Sequence, residues 1–139
     1  MTRKELIKKI HNYFSNKKEV TAVYLYGSYA RNEQKDGSDI DLAVLFFDNI
    51  DKRFYLLLEY KHDLSEILQK KVELQELNNI RIDFAYRVLE EGIKIQANNE
   101  KFRINFEVKT MQGYFDLKPF FDEYYSVLRK QSLRGDFNA

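Results

Sequence analysis

The feature that most constrains the fold is a pair of apolar segments separated by a short polar stretch. The first, Val20–Tyr26, has β-branched and aromatic residues and no polar side chain after Thr21, which predicts a strand buried on both faces. The second, residues 39–47, reads DIDLAVLFF. Its alternation predicts a strand with the even-numbered apolar side chains on one face and Asp39 and Asp41 on the other. The sequence therefore predicts two neighbouring core strands, the second of which begins with two carboxylates on one face.

Further elements follow from hydrophobic periodicity. Apolar residues at helical spacing predict a first helix to about Asn16, with Thr2 and Glu5 at the spacing of a capping box. A second helix is predicted over residues 52–70, and a strand over 72–77. For the second helix, the predicted buried face consists of apolar residues at helical spacing: Phe54, Leu57, Leu58, Leu64, Ile67 and Leu68.

After the third predicted strand, Asn78 or Asn79 is the expected N-cap of a helix that begins near Ile80 and ends at Gly92. Residues 93–97 are expected to form a short edge strand. A short helix is predicted over residues 28–34, followed by a turn at 35–38. This order of helices and strands predicts an α/β fold in which helices flank a small mixed β-sheet.

The C-terminal part, from Asn99, is predicted to be helical, with a break near Gly113 and a restart around Asp116. Pro119 then falls in the first turn of a last helix to about Lys130, where proline is tolerated, and a mobile tail follows from Leu133. This part contains the aromatic run GYFDLKPFFDEYY. Helical spacing favours packing roles for most of these residues, and a partner-docking surface is the alternative. No linker or repeat is present, so residues 1–139 are expected to form one domain with a C-terminal helical segment at about 99–131.

Composition excludes several classes of protein. The chain contains no cysteine, so it has neither disulfides nor a thiolate zinc site. Its charged N-terminal segment lacks the apolar run of a signal peptide or a membrane span, which predicts a cytoplasmic protein with no membrane partner. The net charge is +1, but residues 1–35 carry eight Lys and Arg against three acids, whereas residues 36–60 carry two against six. A local acidic cluster in a near-neutral chain favours a cation site over direct nucleic-acid binding.

The segment between the two strands has the residue types of a nucleotide site. Gly27 allows a phosphate to approach the backbone, and Ser28 offers a hydroxyl and an N–H at the start of a helical turn. On an extended strand, Asp39 and Asp41 lie roughly 6.6 Å apart along one face. Their oxygens suit Mg²⁺, and two such ions can stabilise both the attacking and the leaving oxygen in phosphoryl transfer.

A third acid usually completes such a site. Glu73 alternates with apolar neighbours in the strand KKVELQEL and would lie on the aspartate face if the two strands are adjacent. It is the candidate third metal ligand and the candidate base for an incoming hydroxyl. An ordinary exposed strand glutamate is the alternative interpretation, and Glu76 is the second choice. Arg31 follows the Gly-Ser pair closely enough to reach triphosphate oxygens, with simple surface exposure as the alternative.

These residues resemble the motif of the polymerase-beta-like nucleotidyltransferases, which is Gly-Ser, a spacer, Asp-x-Asp and a distant third acid. Gly27, Ser28, Asp39 and Asp41 match it residue by residue. Length and element order look like the minimal nucleotidyltransferase (MNT) antitoxins of the MntA type, which are paired with HEPN-domain ribonuclease toxins. The resemblance implies the polymerase-beta-like nucleotidyltransferase fold, Mg²⁺ as cofactor and ATP as substrate. It also implies transfer of AMP to a tyrosine hydroxyl of the toxin, release of pyrophosphate and silencing of the toxin.

One residue departs from the family pattern. The third acid is usually aspartate, and this chain has Glu73, which is longer by one methylene group. A non-catalytic antitoxin that acts by masking its partner therefore remains an alternative function. A second alternative is a nucleotidyltransferase for an aminoglycoside-like small molecule, although the short chain leaves little room to build a drug pocket.

Overall fold

The molecule is built on one four-stranded sheet. The computed structural model describes residues 1–135. The strands are β1 (Val20–Tyr26), β2 (Ile40–Phe46), β3 (Val72–Glu76) and β4 (Ile93–Ala97), and their order in the sheet is β3-β2-β1-β4. Strand β1 pairs antiparallel with β2 and β4, whereas β2 pairs parallel with β3. The mixed sheet of the predicted α/β fold is therefore confirmed.

Helices cover both faces of this sheet. They are α1 (Arg3–Phe14), α2 (Arg53–Leu68), α3 (Ile82–Glu91) and α4 (Glu100–Arg134). Helices α1 and α2 pack on one face, while α3 and the first part of α4 pack on the other. Helix α2 links the parallel strands β2 and β3, since parallel strands cannot be joined by a tight turn.

Strand β2 lies at the centre of both cores, as its alternation predicts. Its residues Leu42 and Val44 pack toward α1 and α2, and Ala43 and Leu45 pack toward α3; all four are fully buried. The side of β2 that begins with the aspartates is therefore the side covered by α3 and α4. This face is called the acid face below.

The predicted buried face of α2 is partly wrong. Leu64 and Leu68 are buried, but three of the predicted residues are 45–67% exposed: Phe54, Leu58 and Ile67. The helix is instead oriented by Tyr60, which is fully buried and packs its ring against Phe14 and Phe46. A large aromatic residue that fits between α1 and the sheet outweighs several leucines in setting which side of a helix faces the core.

Of the two predicted helix caps, one is confirmed and one is wrong. The Thr2 hydroxyl accepts a hydrogen bond from the Glu5 N–H at 3.1 Å, as the capping box requires. Helix α3 has Arg81 as its N-cap, without a side-chain cap. The Asn78 side-chain amide instead pairs with the N–H and the C=O of Phe46, at 2.9 Å each, and so holds the end of β2 against the loop after β3.

The predicted break in the last helix is also wrong, because α4 is continuous from Glu100 to Arg134 and contains Pro119. A Cβ added at Gly113 would lie 2.4 Å from the Ile82 side chain, so this glycine permits close packing of α4 on α3. Pro119 removes one helical hydrogen bond, and the flanking turns continue. Helix α4 includes Leu133, where a mobile tail was predicted to begin, and residues 136–139 of that tail lie outside the described residues.

The aromatic run of α4 divides into packed and exposed residues. The Tyr114 ring stacks on Tyr86 of α3 with centroids 3.9 Å apart. The other large side chains are mainly exposed, contrary to the packing roles predicted for most of them: Phe115, Leu117, Phe120, Tyr124 and Tyr125 are 42–67% exposed. Within residues 1–135, no helix is long and apolar enough to cross a membrane.

Candidate active site

The Gly-Ser pair forms a sharp turn at the end of β1. Gly27 has φ +73°, in the left-handed region that favours glycine, and begins a single 3₁₀ turn, Gly27–Tyr29. This one turn replaces the short helix that was predicted over residues 28–34. A Cβ added to Gly27 would lie 2.3 Å from Oδ2 of Asp41. Glycine is thus required both by the backbone and by the close approach of the turn to an acid of the site.

The turn is supported from behind by α1. The Arg3 guanidinium donates hydrogen bonds to the carbonyls of Tyr29 and Ala30, at 3.1 and 3.3 Å. The first N–H groups of such a turn have no acceptor within it, so those of Gly27 and Ser28 can bind an anion such as a phosphate. The Arg3 contact has no local sequence signal, because residues 3 and 29 meet only in the folded chain.

The three candidate acids lie next to one another on the acid face. Asp39 immediately precedes β2, Asp41 lies within it, and Glu73 of β3 is in register with Asp41. In a parallel pair, residues in register point to the same face. Glu76 lies on the opposite face and its carboxylate pairs with the Arg53 guanidinium at 2.8 Å. The structure thus brings Glu73, and not Glu76, to the two aspartates.

The electrostatics of this cluster favour a bound cation. Burial raises the pKa of Asp41, the charges of Asp39 and Glu73 raise it further, and the Arg31 charge opposes them. The ionised carboxylates therefore repel one another, and a divalent ion between them would relieve that repulsion. All three side chains offer oxygen ligands, which are the ligands that Mg²⁺ prefers.

Two lysines contact these acids. The Lys71 ammonium lies 3.5 Å from Glu73 and 3.8 Å from Asp39, and the Lys61 ammonium lies 3.5 Å from Glu73. In the described part of the chain, no group of three or more His, Asp or Glu side chains is arranged closely enough to hold a metal ion as it stands. The Lys71 side chain is 66% exposed, so it can rotate away at small cost. The carboxylates of the site fit Mg²⁺ chemically. To bind the ion, Lys71 has to move away and the carboxylate groups of the three acids have to rotate toward one another.

Arg31 lies close to both parts of the site. Its guanidinium pairs with Glu33 at 3.1 Å and with Glu91 of α3 at 3.5 Å, and it remains 45% exposed. It also lowers the pKa of Asp41, so its charge reaches the acid cluster. Arg31 thus lies between the Gly-Ser turn, two residues before it at its nearest, and Glu91 of α3.

Tyr26 is a residue of this site that the sequence patterns did not single out. It lies opposite Asp41 in the antiparallel pair of β1 and β2, and its ring packs edge-on against Phe84, with centroids 5.5 Å apart. Burial, Asp41 and Glu73 raise the pKa of its hydroxyl to about 12, so it is a hydrogen-bond donor at neutral pH. Tyr26 could have been identified from the sequence by its position, because it lies one residue before Gly27 and on the same face of the sheet as Asp41.

Comparison with known proteins agrees with this geometry. The family model for polymerase beta nucleotidyltransferases matches residues 8–101. The protein adenylyltransferase MntA of Shewanella oneidensis is 30% identical over 96 residues, which cover 69% of this chain and 67% of MntA. MJ0126 of Methanocaldococcus jannaschii, whose assignment as a protein adenylyltransferase is provisional, is 33% identical over 90 residues, 65% of this chain and 90% of its own length.

Solved structures extend the likeness beyond the family model. A chain of a toxin–antitoxin complex crystallised with AMP-PNP superposes with a TM-score of 0.71 at 25% identity, covering 93% of this chain and 99% of the other. The match includes much of α4, which the family model does not reach. The predicted polymerase-beta-like fold is confirmed, and the chain belongs to the polymerase beta nucleotidyltransferase family and is a nucleotidyltransferase.

Proposed function

We propose that this chain is the antitoxin of a HEPN toxin–antitoxin pair and that it transfers AMP from Mg-ATP to a tyrosine hydroxyl of its cognate HEPN ribonuclease toxin. The observation that carries the proposal is the alignment of Asp41 with Glu73, beside Asp39 and against the Gly27 turn. Two similarities support it: the protein adenylyltransferase MntA and the toxin–antitoxin chain with AMP-PNP. A solved complex of similar fold contains a tri-AMPylated HEPN toxin bound to an MNT antitoxin.

In this proposal the triphosphate binds at the turn. The Gly27 and Ser28 N–H groups and the Ser28 hydroxyl hold phosphate oxygens, and Gly27 allows the backbone to come close. Arg31 exchanges its exposed partner Glu33 for the triphosphate, since a guanidinium binds phosphate oxygens strongly. Arg3 keeps the turn in place from its carbonyl side.

The acids act on the other side of the α-phosphate. Asp39, Asp41 and Glu73 would hold Mg²⁺, which would supply positive charge that stabilises the transition state. Glu73 accepts the tyrosine hydroxyl proton as the phenolic oxygen bonds to the α-phosphorus. The bond between the α-phosphorus and its bridging oxygen breaks, and pyrophosphate leaves. The product is a tyrosine–AMP phosphodiester.

The experiment incubates the chain with Mg²⁺, ATP labelled with ³²P at the α-phosphate, and the HEPN-domain protein encoded by the adjacent reading frame. We expect label on the partner with the wild-type chain. Combined Asp39→Ala and Asp41→Ala substitution should reduce the rate on the order of 10²- to 10³-fold. The matched control combines Asp48→Ala and Asp51→Ala, two exposed acids outside the site. Absence of label with wild type, or undiminished label with the site variant, would refute the proposal.

Masking without catalysis is the second candidate. The observation that favours it is the pairing of Lys71 with Asp39 and Glu73, which partly balances the negative charge of two acids of the site. Co-expression in cells separates the two functions. If the Asp39→Ala and Asp41→Ala variant protects cells from the partner as well as wild type does, masking is correct; if protection is lost while the two proteins still co-purify, AMP transfer is correct.

A further inference from the structure

The sheet has an open edge next to the acid cluster. The Ile40 N–H donates to the Lys71 carbonyl at 2.9 Å, and the Leu77 N–H donates to the Val44 carbonyl at 2.8 Å. Because main-chain groups alternate in direction along a strand, the odd-numbered residues of β3 bond to β2, and the N–H and C=O groups of Leu74 and Glu76 face outward. Within residues 1–135, these outward groups have no hydrogen-bond partner. An accessible strand edge of this kind is a template for another strand.

The opposite edge of the sheet is different. Strand β4 is partly covered by α1, whose His11 ring nitrogen lies 3.1 Å from the Ile95 carbonyl. Among the residues that the structure describes, no helix lies across the outer edge of β3 in this way. Instead, a groove of about 410 Å³ runs along it, between α2 and the loop after β3.

The wall of this groove that α2 forms is mainly apolar, with Lys61 as its one charged residue among the described lining. Phe54, Leu57 and Leu58 of α2 line it, and Phe54 and Leu58 are 67% and 50% exposed. Both residues have helical spacing suited to burial, yet Tyr60 turns them away from the core. Exposed apolar groups beside an open strand edge form a surface suited to an extended peptide, which gains backbone hydrogen bonds and side-chain burial together.

The groove contains the candidate base. Glu73 lines it, and the carboxylate of Glu73 lies on the acid face beside Asp41. The Gly27 turn follows β1, on the other side of β2 in the strand order β3-β2-β1. An acceptor that attacks in line, opposite the leaving pyrophosphate, therefore approaches from the β3 side.

We propose that the edge of β3 and the apolar wall of α2 form the acceptor-docking groove, in which a tyrosine-bearing segment of the partner binds as a fifth strand. This inference rests on the proposed function. The partner residue next to Glu73 in that strand projects onto the acid face, at the roughly 4.5–5.5 Å spacing of neighbouring strands. A tyrosine there brings its hydroxyl to Glu73. Lys61 and Lys71 lie beside Glu73 and favour acidic or neutral residues on either side of the tyrosine.

Hydrogen exchange measured by NMR tests the strand pairing directly. In the free ¹⁵N-labelled chain, the Leu74 and Glu76 amides should exchange quickly. In complex with the HEPN partner and without ATP, their exchange should slow by at least about tenfold, because each N–H gains an acceptor. The amides of β4 serve as the control and should be unchanged. Unchanged exchange at Leu74 and Glu76 in a stable complex would overturn the inference.

A pair of substitutions on α2 tests the apolar wall. Leu58→Lys places a charge in the groove and should raise KM for the partner about tenfold or more, with the affinity for ATP unchanged. Ile67→Lys is the matched control, since Ile67 is 45% exposed on the same helix and does not line the groove. It should leave KM as in wild type. If the wild-type chain labels the partner and both variants have the same KM as wild type, the docking proposal is wrong and the proposed function stands. If the wild-type chain transfers no AMP while the Leu74 and Glu76 amides are protected in the complex, the docking proposal stands and the proposed function is wrong.

Discussion

Two regions of this molecule differ in what they contribute. The first, called the sheet unit here, runs from α1 to β4 (residues 3–97) and contains both hydrophobic cores and all the candidate site residues. The second, called distal α4, comprises residues 115–134, and none of them is buried. The family model ends at residue 101, before most of α4. The difference indicates that most of the folding free energy and all the candidate site residues belong to the sheet unit, and that distal α4 contributes little to the core.

Distal α4 is nevertheless held at a defined angle. The stacked rings of Tyr86 and Tyr114 fix the helix where it leaves α3. Further along, Asp83 of α3 accepts a hydrogen bond from the Tyr125 hydroxyl at 2.9 Å and pairs with Arg81. A helix that contributes little to the core but is clamped in this way presents its exposed aromatic residues in a fixed direction. This geometry suits the partner-docking alternative for the aromatic run, which stays a prediction.

The largest difference between the regions should appear in stability. Leu45→Ala removes a fully buried side chain from the core beneath α3 and should lower the free energy of unfolding by about 2–5 kcal/mol. Leu133→Ala, at a residue 84% exposed on distal α4, should change it by no more than about 0.5 kcal/mol. Urea denaturation followed by circular dichroism measures both. A comparable loss for the two variants would mean that distal α4 is part of the cooperative core.

A smaller effect should separate Gly27 of the sheet unit from Gly113, which lies in α4 just before distal α4. Gly27→Ala forces a left-handed backbone on alanine, which costs about 1–2 kcal/mol, and pushes Asp41 aside, so AMP transfer should be lost. The alanine methyl group of Gly113→Ala, in α4, meets only the tip of the Ile82 side chain of α3. The better helix propensity of alanine, about 1 kcal/mol, should offset that contact, and activity should be kept.

Gly37→Ala is the control for backbone strain alone, because Gly37 has φ +86° and no atom within 4 Å of an added Cβ. It should lose a similar amount of stability to Gly27→Ala while keeping activity. Thermal unfolding and the ³²P-AMP assay are measured on the same three preparations. Retained activity in Gly27→Ala would show that the close contact of the turn with Asp41 has no functional role.

The smallest effect concerns the attachment of distal α4 at low pH. Burial alone would raise the pKa of Asp83, but hydrogen bonds from Arg81 and Tyr125 outweigh it and hold the pKa below its ordinary value of 3.8. A lowered pKa in the folded state means that the attachment is stabilised above the unfolded pKa and weakens as the pH falls through the folded one. The protection factors of the amides in residues 120–134, which are corrected for the intrinsic exchange rate at each pH, should therefore fall below about pH 4.

Tyr125→Phe tests the origin of that pH dependence. It removes one of the hydrogen bonds to Asp83, so the folded-state pKa of Asp83 should rise toward its ordinary value and the loss of protection below about pH 4 should be smaller than in wild type. At neutral pH the global stability should change by no more than about 0.5 kcal/mol, as expected for a residue at the surface. An identical pH profile in Tyr125→Phe and wild type would show that Asp83 does not control the attachment.

Local sequence patterns predicted the elements that depend on local physics. Strand β1 was predicted with its observed bounds, and β2 with one extra residue at each end, because the period of a strand and the burial of its apolar face are visible in a few residues. The Thr2 cap depends only on residues three apart. The Gly27-Ser28 turn and the shared face of Asp39 and Asp41 were predictable for the same reason, since a turn and a spacing of two residues are local features.

Contacts between distant segments were not predictable in this way. The buried side of α2 depends on how Tyr60 meets Phe14, and the continuity of α4 depends on Gly113 packing against Ile82. In both cases the local pattern, a row of leucines or a glycine, is compatible with two structures. The segment of the chain that packs against it decides which of the two forms.

The sequence by itself determined which chemical groups this protein has and which of them share a strand: a glycine turn for phosphates and two carboxylates on one face of β2. The tertiary structure decided which third acid joins them, because only the parallel register of β3 on β2 places Glu73 at Asp41 and sends Glu76 to the other face. It also decided that β3 is an edge strand with Lys71 across the acids and an open groove beside them. The physical reason is that strand order and register are set by the packing of the whole sheet against its helices, and no single segment encodes them.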